Sequence, residues 1–162
     1  MISIIKFIDY IGYYGPEILF ALTFYCLLNK IPYLITFTIG SIVNIYINKV
    51  LKQLFREPRP SNQLVFIDSN QLTGAHYYGL PSGHAQTVAF SIAFLALVQG
   101  PPAFLYTMTG IFIITLYQRW KYNRHSIKQL FFGVIIGAFM AWIIYFIMWY
   151  ILHRYKHRVS LL

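Results

Sequence analysis

Three short stretches of the chain carry residue types that could handle a phosphate ester. The first is Lys52-Gln-Leu-Phe-Arg56-Glu57-Pro58-Arg59-Pro60. Lysine offers a mobile point charge, and arginine a planar fork that can hold two oxygens at once. Pro58 and Pro60 cannot continue a helix, so they set Arg59 on a stiff loop. The second stretch, Gly79-Leu80-Pro81-Ser82-Gly83-His84-Ala85-Gln86, opens an apolar segment. Pro and Ser there mark a helix N-terminus, whose free backbone N–H groups bind anions. Ser82 adds a hydroxyl, Gly83 lets the backbone come close, and His84 in the first turn can give a proton to a leaving oxygen. The third is Arg119-Trp-Lys121-Tyr-Asn-Arg124-His125-Ser-Ile-Lys128-Gln129. His125 and Gln129 are four apart, hence on one face of a helix start. A side-chain acceptor on one ring nitrogen leaves the other to attack phosphorus. Each stretch alone has a plainer reading: a basic helix end at headgroups, a well-capped helix with an interfacial histidine, a basic loop with an incidental histidine.

The composition says what kind of element must position these residues. The chain has 162 residues, 58% hydrophobic, 19% aromatic and 10% charged, with 13 Lys+Arg against 4 Asp+Glu. A soluble domain carries about 25% charged residues, so a water-soluble globular fold is excluded, and disorder with it. The acids, Asp9, Glu17, Glu57 and Asp68, are scattered. Two-metal phosphatases and paired-carboxylate hydrolases need clustered carboxylates, so no metal and no cofactor is expected. A net charge of +9 suits phosphate esters or anionic headgroups. Nucleic acid is not an expected partner, because the bases sit at the ends of apolar segments rather than on a polar face. The lone Cys26 cannot form an internal disulfide.

A membrane span needs about 20 mostly apolar residues. Met1–Tyr14 reads as an amphipathic, interfacial helix. Spans are expected at Pro16–Leu28, Tyr33–Val50, Ser82–Val98, Ala103–Tyr117 and Ile127–Leu152, with one long polar loop over Arg56–Leu80. The expected fold is therefore an all-α membrane bundle of about five spans, one domain over residues 1–162. Asn44 and Asn48 share a helix face turned towards other helices. Gly133, Gly137 and Ala141 form a small-residue stripe that lets helices approach closely. Counting spans brings the end of the second, the start of the third, the end of the fourth and the start of the fifth to one membrane side. Lys52, Arg59, Ser82, His84, Arg119 and His125 then meet at one rim of the bundle.

In order and spacing the three stretches together resemble the type-2 phosphatidic acid phosphatase superfamily. Its pattern is Lys, six residues, Arg-Pro; then Pro-Ser-Gly-His; then Ser-Arg, five residues, His, three residues, Asp. The chain matches at Lys52, Arg59, Pro60, Pro81, Ser82, Gly83, His84, Arg119 and His125, over a motif core of about residues 40–140. Gln118 stands where the family has Ser, and Gln129 where it has Asp. That Asp accepts the ring N–H of the nucleophilic histidine and balances its positive charge, so His125 beside a neutral amide is expected to be less strongly activated. Dolichyl-diphosphatase and glucose-6-phosphatase branches look similar at this position. The Glu57-Pro58-Arg59-Pro60 string and Gly79–Gln86 are more similar to polyprenyl-diphosphate phosphatases.

The resemblance implies a metal-independent lipid phosphatase. His125 is the implied nucleophile and forms a phosphohistidine; His84 is the acid. Lys52, Arg59, Ser82, Gly83 and Arg119 bind the phosphoryl group, and Gln129 orients His125. The favoured substrate is a polyprenyl diphosphate, with phosphatidate or phosphatidylglycerophosphate as alternatives. A reading from another class is a catalytically silent lipid-binding membrane protein. The partners implied are the lipid phosphate and the bilayer. Charge bias does not decide orientation; family analogy puts the site on the lumenal or periplasmic face.

Overall fold

The computed structural model describes residues 4–67 and 77–159. Residues 68–76 of the polar loop, Asp68 among them, and the extreme termini lie outside the described residues. So do the side chains of Lys156, His157 and Arg158 in the basic tail. Six helices follow one another: α1 (Ile4–Tyr13), α2 (Gly15–Leu27), α3 (Ile31–Phe55), α4 (Gly83–Leu97), α5 (Pro102–Lys121) and α6 (Ile127–Val159). Among the described residues the only β pairing is an isolated bridge between Pro58 and Tyr78.

The centre of the bundle is α4, which touches α2, α3, α5 and α6. Its sequence, Gly-His-Ala-Gln-Thr-Val-Ala-Phe-Ser-Ile-Ala-Phe-Leu-Ala-Leu, is apolar on all sides below its first turn, as a helix surrounded by others must be. Phe90 and Phe94 are fully buried against Phe37 of α3, Phe90 stacked on its ring and Phe94 tilted to it. The start of α4 is tied to α3 by amide bonds. Gln86 Nε2 donates to Asn44 Oδ1 and to the Asn44 carbonyl at 2.8 and 2.9 Å, and Asn48 Nδ2 donates to Gln86 Oε1 at 2.8 Å. In an apolar surrounding such a network fixes register between helices. At the opposite end, Lys30 Nζ donates to the Val98 carbonyl at 3.2 Å, a cation on a helix C-terminus.

The small-residue stripe on α6 does what its spacing implies. A Cβ at Gly133 would meet the Ser82 carbonyl oxygen at 2.7 Å and Ala85 Cβ at 2.9 Å. At Gly137 it would overlap the Gln86 carbonyl. Neither obstacle is a flexible side chain, so the helices would have to separate. Gly137→Ala is expected to cost about 1–3 kcal/mol, seen as a lower thermal unfolding midpoint in detergent. Gly110→Ala, where nothing lies within 4 Å of the added carbon, is expected to leave the midpoint unchanged or to raise it slightly.

Three boundaries differ from the sequence expectation, α6 running on past Leu152 to Val159 and two others lying at the site. Helix α3 continues past Val50 to Phe55 and stops at Arg56, in the left-handed region at φ 49°. Helix α5 continues past Tyr117 through Lys121, which takes Arg119 into its last turn rather than into a loop. Nothing in Gln118–Lys121 breaks a helix, and bases favour a helix C-terminus. The turn comes at Asn123, φ 51°, a residue that tolerates that conformation.

Among the described residues, two helices are long and apolar enough to cross a bilayer, Ile31–Phe55 and the Ile127–Arg154 part of α6. Helices α2 and α4, with 13 and 15 residues, reach only about 20 Å and 22 Å. Helix α5 is 20 residues long but carries Thr107, Thr109, Thr115, Gln118, Arg119 and Lys121. The outer face of α6 exposes Phe131, Ile135, Phe139, Trp142 and Phe146, a continuous apolar surface that water would not tolerate. Helix α1 is built the other way round from a soluble amphipathic helix. Its Ile4, Ile5 and Phe7 face outward, while Asp9 is 3% exposed. Asp9 accepts from Lys121 Nζ at 2.8 and 2.9 Å and from the Tyr122 hydroxyl at 2.9 Å, which pins α1 to the end of α5.

Candidate active site

Four helix ends meet at one end of the bundle: the C-termini of α3 and α5 and the N-termini of α4 and α6. They surround a cavity of about 660 Å³. Its polar end is lined by Lys52, Arg59, Gly83, His84, Arg119 and His125, residues spread over more than seventy positions. The rim expected from counting spans is therefore one site. Ser82 and Gln129 stand just behind it. Ser82 is the N-cap of α4, its Oγ accepting from the Ala85 N–H at 3.4 Å, and its own N–H donates to the Gln129 carbonyl at 3.0 Å. That bond joins the start of α4 to the start of α6.

The Lys52–Pro60 stretch leaves α3 and turns beneath the cavity. Lys52 Nζ donates to the Tyr78 carbonyl at 2.6 Å, and the Gly79 N–H donates to the Glu57 carbonyl at 2.8 Å. The two sides of the long loop are thus clasped together, with Arg59 directed at His125. Arg59 Nη1 lies 3.2 Å from His125 Nε2 and donates to the Arg124 carbonyl at 3.1 Å. Burial first, and then the nearby Arg124 charge, depress the Arg59 guanidinium to about 10, so it stays charged at neutral pH.

His125 is 2% exposed, and both ring nitrogens have partners. Nδ1 is 3.2 Å from Gln129 Oε1. An amide oxygen can only accept, so Nδ1 carries the hydrogen and Nε2 keeps its lone pair, turned to Arg59. Burial, followed by the charges of Arg59, Lys52 and Arg119, holds the ring well below the usual imidazole range. The neutral form is the one present near pH 7. Gln129 has a second task. Ser126 Oγ accepts from the Gln129 N–H at 3.2 Å, and Gln129 Oε1 accepts from the Ser126 N–H at 3.3 Å. This is a capping box at the start of α6, legible as Ser-x-x-Gln but masked by the histidine reading of the same residues.

His84 is held by a group that no motif could announce. Tyr13 is the last residue of α1, where helix carbonyls lack helical partners, and its carbonyl accepts from His84 Nε2 at 3.2 Å. The Tyr13 ring also lies under the Arg119 guanidinium, 5.6 Å from its centroid. A main-chain oxygen contributed from 71 positions away leaves no trace in residue identity. Asn48, Lys49 and Thr87 complete the polar wall.

The rest of the cavity is mostly apolar, with Glu17, Thr38 and Ser41 among its lining residues. It runs between α2 and α3, past Phe20, Thr38, Ile42 and Ile45. From Lys52 to Thr38 it follows α3 for about 21 Å. Among the described residues no group of three or more His, Cys, Asp or Glu is placed to hold a metal ion. The site is a cluster of cations around two histidines, open on one side to an apolar groove.

The family model of the PAP2 superfamily matches residues 31–153, and the chain belongs to that superfamily; membership points to a membrane protein with phosphatase activity on lipid phosphates. No curated protein and no solved structure matches the chain.

Proposed function

We propose that the protein hydrolyses a lipid phosphate or diphosphate by way of a phosphohistidine, with a polyprenyl diphosphate as the substrate class. The observation that carries this reading is the shape of one cavity. Its polar end holds two histidines among the cations of Lys52, Arg59 and Arg119, and the cavity follows α3 for about 21 Å in all, over a mostly apolar lining that includes Phe20, Ile42 and Ile45. A phosphate with a long hydrocarbon tail matches both ends; a sugar phosphate matches only one. Tail in groove and headgroup at the rim also suits a site beside bilayer. The polyprenyl choice rests on the Glu57-Pro58-Arg59-Pro60 and Gly79–Gln86 strings.

In this reading His125 Nε2 attacks phosphorus, and the Nε2–P bond forms as the bond to the leaving oxygen breaks. The leaving oxygen takes the electron pair and a proton from His84. The carbonyl of Tyr13 keeps hydrogen on Nε2 of His84, so Nδ1 exchanges the reacting proton and His84 enters the first step doubly protonated, a form that the negative charge of the bound phosphate favours. Lys52, Arg59 and Arg119, with the Gly83 N–H at the start of α4, stabilise the charge that spreads over the phosphoryl oxygens. Water then attacks phosphorus, gives its proton to His84, and the P–N electron pair returns to Nε2. Ser82 supports the cradle by capping α4, and Gln129 by orienting His125. The fold in the membrane is a bundle of five spans with α1 at the interface, the short α2 and α4 crossing beside the longer α3 and α6. The site faces the lumen or periplasm, as family analogy suggests.

A substrate panel tests this directly. In detergent with EDTA, phosphate release from farnesyl diphosphate, phosphatidate and phosphatidylglycerophosphate is expected to exceed release from glucose 6-phosphate by at least about tenfold in kcat/KM. That difference corresponds to about 1.4 kcal/mol of tail binding, less than burial of two methylenes provides. Equal rates on sugar and lipid phosphates would remove the groove from the account.

A further inference from the structure

We propose that Glu57 is a positioning residue for His125, acting through the side-chain amide of Gln129. The inference rests on the phosphatase reading above and supplies what that reading lacks, a negative charge behind the nucleophile. Four groups stand in line. His125 Nδ1 is 3.2 Å from Gln129 Oε1. Gln129 Nε2 donates to Glu57 Oε1 at 3.0 Å. Glu57 Oε2 accepts from Lys128 Nζ at 2.7 Å.

The amide is oriented from both ends. Its nitrogen faces two acceptors, Glu57 Oε1 and the Pro58 carbonyl at 2.8 Å. Its oxygen faces two donors, His125 Nδ1 and the Ser126 N–H. A flipped amide would set acceptor against acceptor at Glu57 and Pro58 and donor against donor at the Ser126 N–H, so Gln129 has one orientation. Hydrogen bonds in a chain polarise one another, and a carboxylate on the N–H side makes the amide oxygen a stronger acceptor. Glu57 is ionised: the bond from Lys128 first, and that from Gln129, hold its carboxyl below the usual range. Lys128 offsets part of the charge, but its side chain is 61% exposed and Glu57's 26%, so water screens the lysine more.

During attack, phosphorus bonds to Nε2 and the ring becomes cationic. The hydrogen on Nδ1 stays where it is, in the bond to Gln129 Oε1, and no proton passes along the line. Glu57 stabilises that cation at one remove. Gln129 is therefore no mere loss of the family's Asp, because the carboxylate sits one residue further back. A structural alternative is that Glu57 only pins Lys128 and the capping box.

The reciprocal swap separates the two. Glu57→Gln, Gln129→Glu and the double variant keep the number and shape of side-chain atoms, and glutamate preserves the capping box. With farnesyl diphosphate in detergent and EDTA, Glu57→Gln is expected to lower kcat about tenfold and to leave KM within about twofold, since an opposite charge acting at this range shifts a histidine by about one pKa unit. Gln129→Glu alone places two carboxylates side by side and is expected to lower kcat as well. The double variant restores a single carboxylate, now directly on Nδ1, and is expected to reach at least wild-type kcat. The Nδ1 proton resonance of His125 is expected to move upfield in Glu57→Gln and downfield of wild type in the double variant. Wild-type kcat in Glu57→Gln, or a double variant no faster than Glu57→Gln, overturns the relay. A wild-type protein inactive on every lipid phosphate, with the resonance moving as described, sinks the phosphatase reading and leaves the relay standing. An unmoved resonance overturns the relay whether or not the protein is active.

Discussion

His125→Ala is expected to lower phosphate release from a lipid phosphate by at least about 10³-fold. The effect is large because the substitution removes the reaction path. The cations of Lys52, Arg59 and Arg119 remain and still bind the phosphoryl group, so KM is expected to change little while kcat collapses. The residual rate reports direct attack by water in the same electrostatic field, as it does in other enzymes stripped of a nucleophile. The environment of His125 adds a pH signature. Burial and the surrounding cations hold the ring well below the ordinary value of about 6.5. A base whose proton affinity is lowered stays neutral as pH falls, so the acid limb of kcat/KM assigned to the nucleophile is expected to lie below about 6.5. Stopped-assay rates between pH 5 and 8 check both features. An acid limb well above 6.5 would mean that the ring is not held neutral as the geometry requires.

Arg59→Ala is expected to be the next most damaging change, about 10²- to 10³-fold in kcat. Arg59 stands directly beside the nucleophile, 3.2 Å from its Nε2. It is anchored from behind by the Arg124 carbonyl at 3.1 Å and stiffened by Pro58 and Pro60. Charge that grows on the phosphoryl oxygens beside Nε2 meets this guanidinium first. Arg59→Lys keeps the charge but loses the fork, and a lysine cannot hold both the carbonyl and the phosphoryl group in a fixed plane. It is expected to fall between wild type and Arg59→Ala. Measured in EDTA, an Arg59→Ala rate within threefold of wild type would show that Lys52 and Arg119 suffice.

Much of the site could be read from the chain because its parts announce themselves locally. Lys52, Arg59, His84, Arg119 and His125 lie in stretches bounded by prolines, glycines and apolar runs, and counting those runs brings their ends together. Asn44 and Asn48 also showed themselves, as amides four apart in an apolar helix, and both bind Gln86. The parts that stayed hidden are those that act through the backbone or over distance. The Tyr13 carbonyl is invisible because every residue has one. The contact between Glu57 and Gln129 joins residues 72 positions apart, and nothing in either stretch points to the other. Falling hydropathy sets the ends of α3 and α5 too early, because loss of hydropathy is not loss of helix. At a membrane rim the two separate: the helix goes on while its side chains turn polar, which is how Lys52 and Arg119 come to stand on rigid elements.

The account depends most on a covalent intermediate at one histidine. Farnesyl diphosphate carrying ³²P in its terminal phosphate, mixed with the detergent-solubilised protein in EDTA and quenched within milliseconds, tests it directly. The account predicts a labelled protein whose label is stable in alkali, lost in acid, mapped to His125 and absent from His125→Ala. Continued release of labelled phosphate with no label on the protein, or with label on another residue, would contradict it.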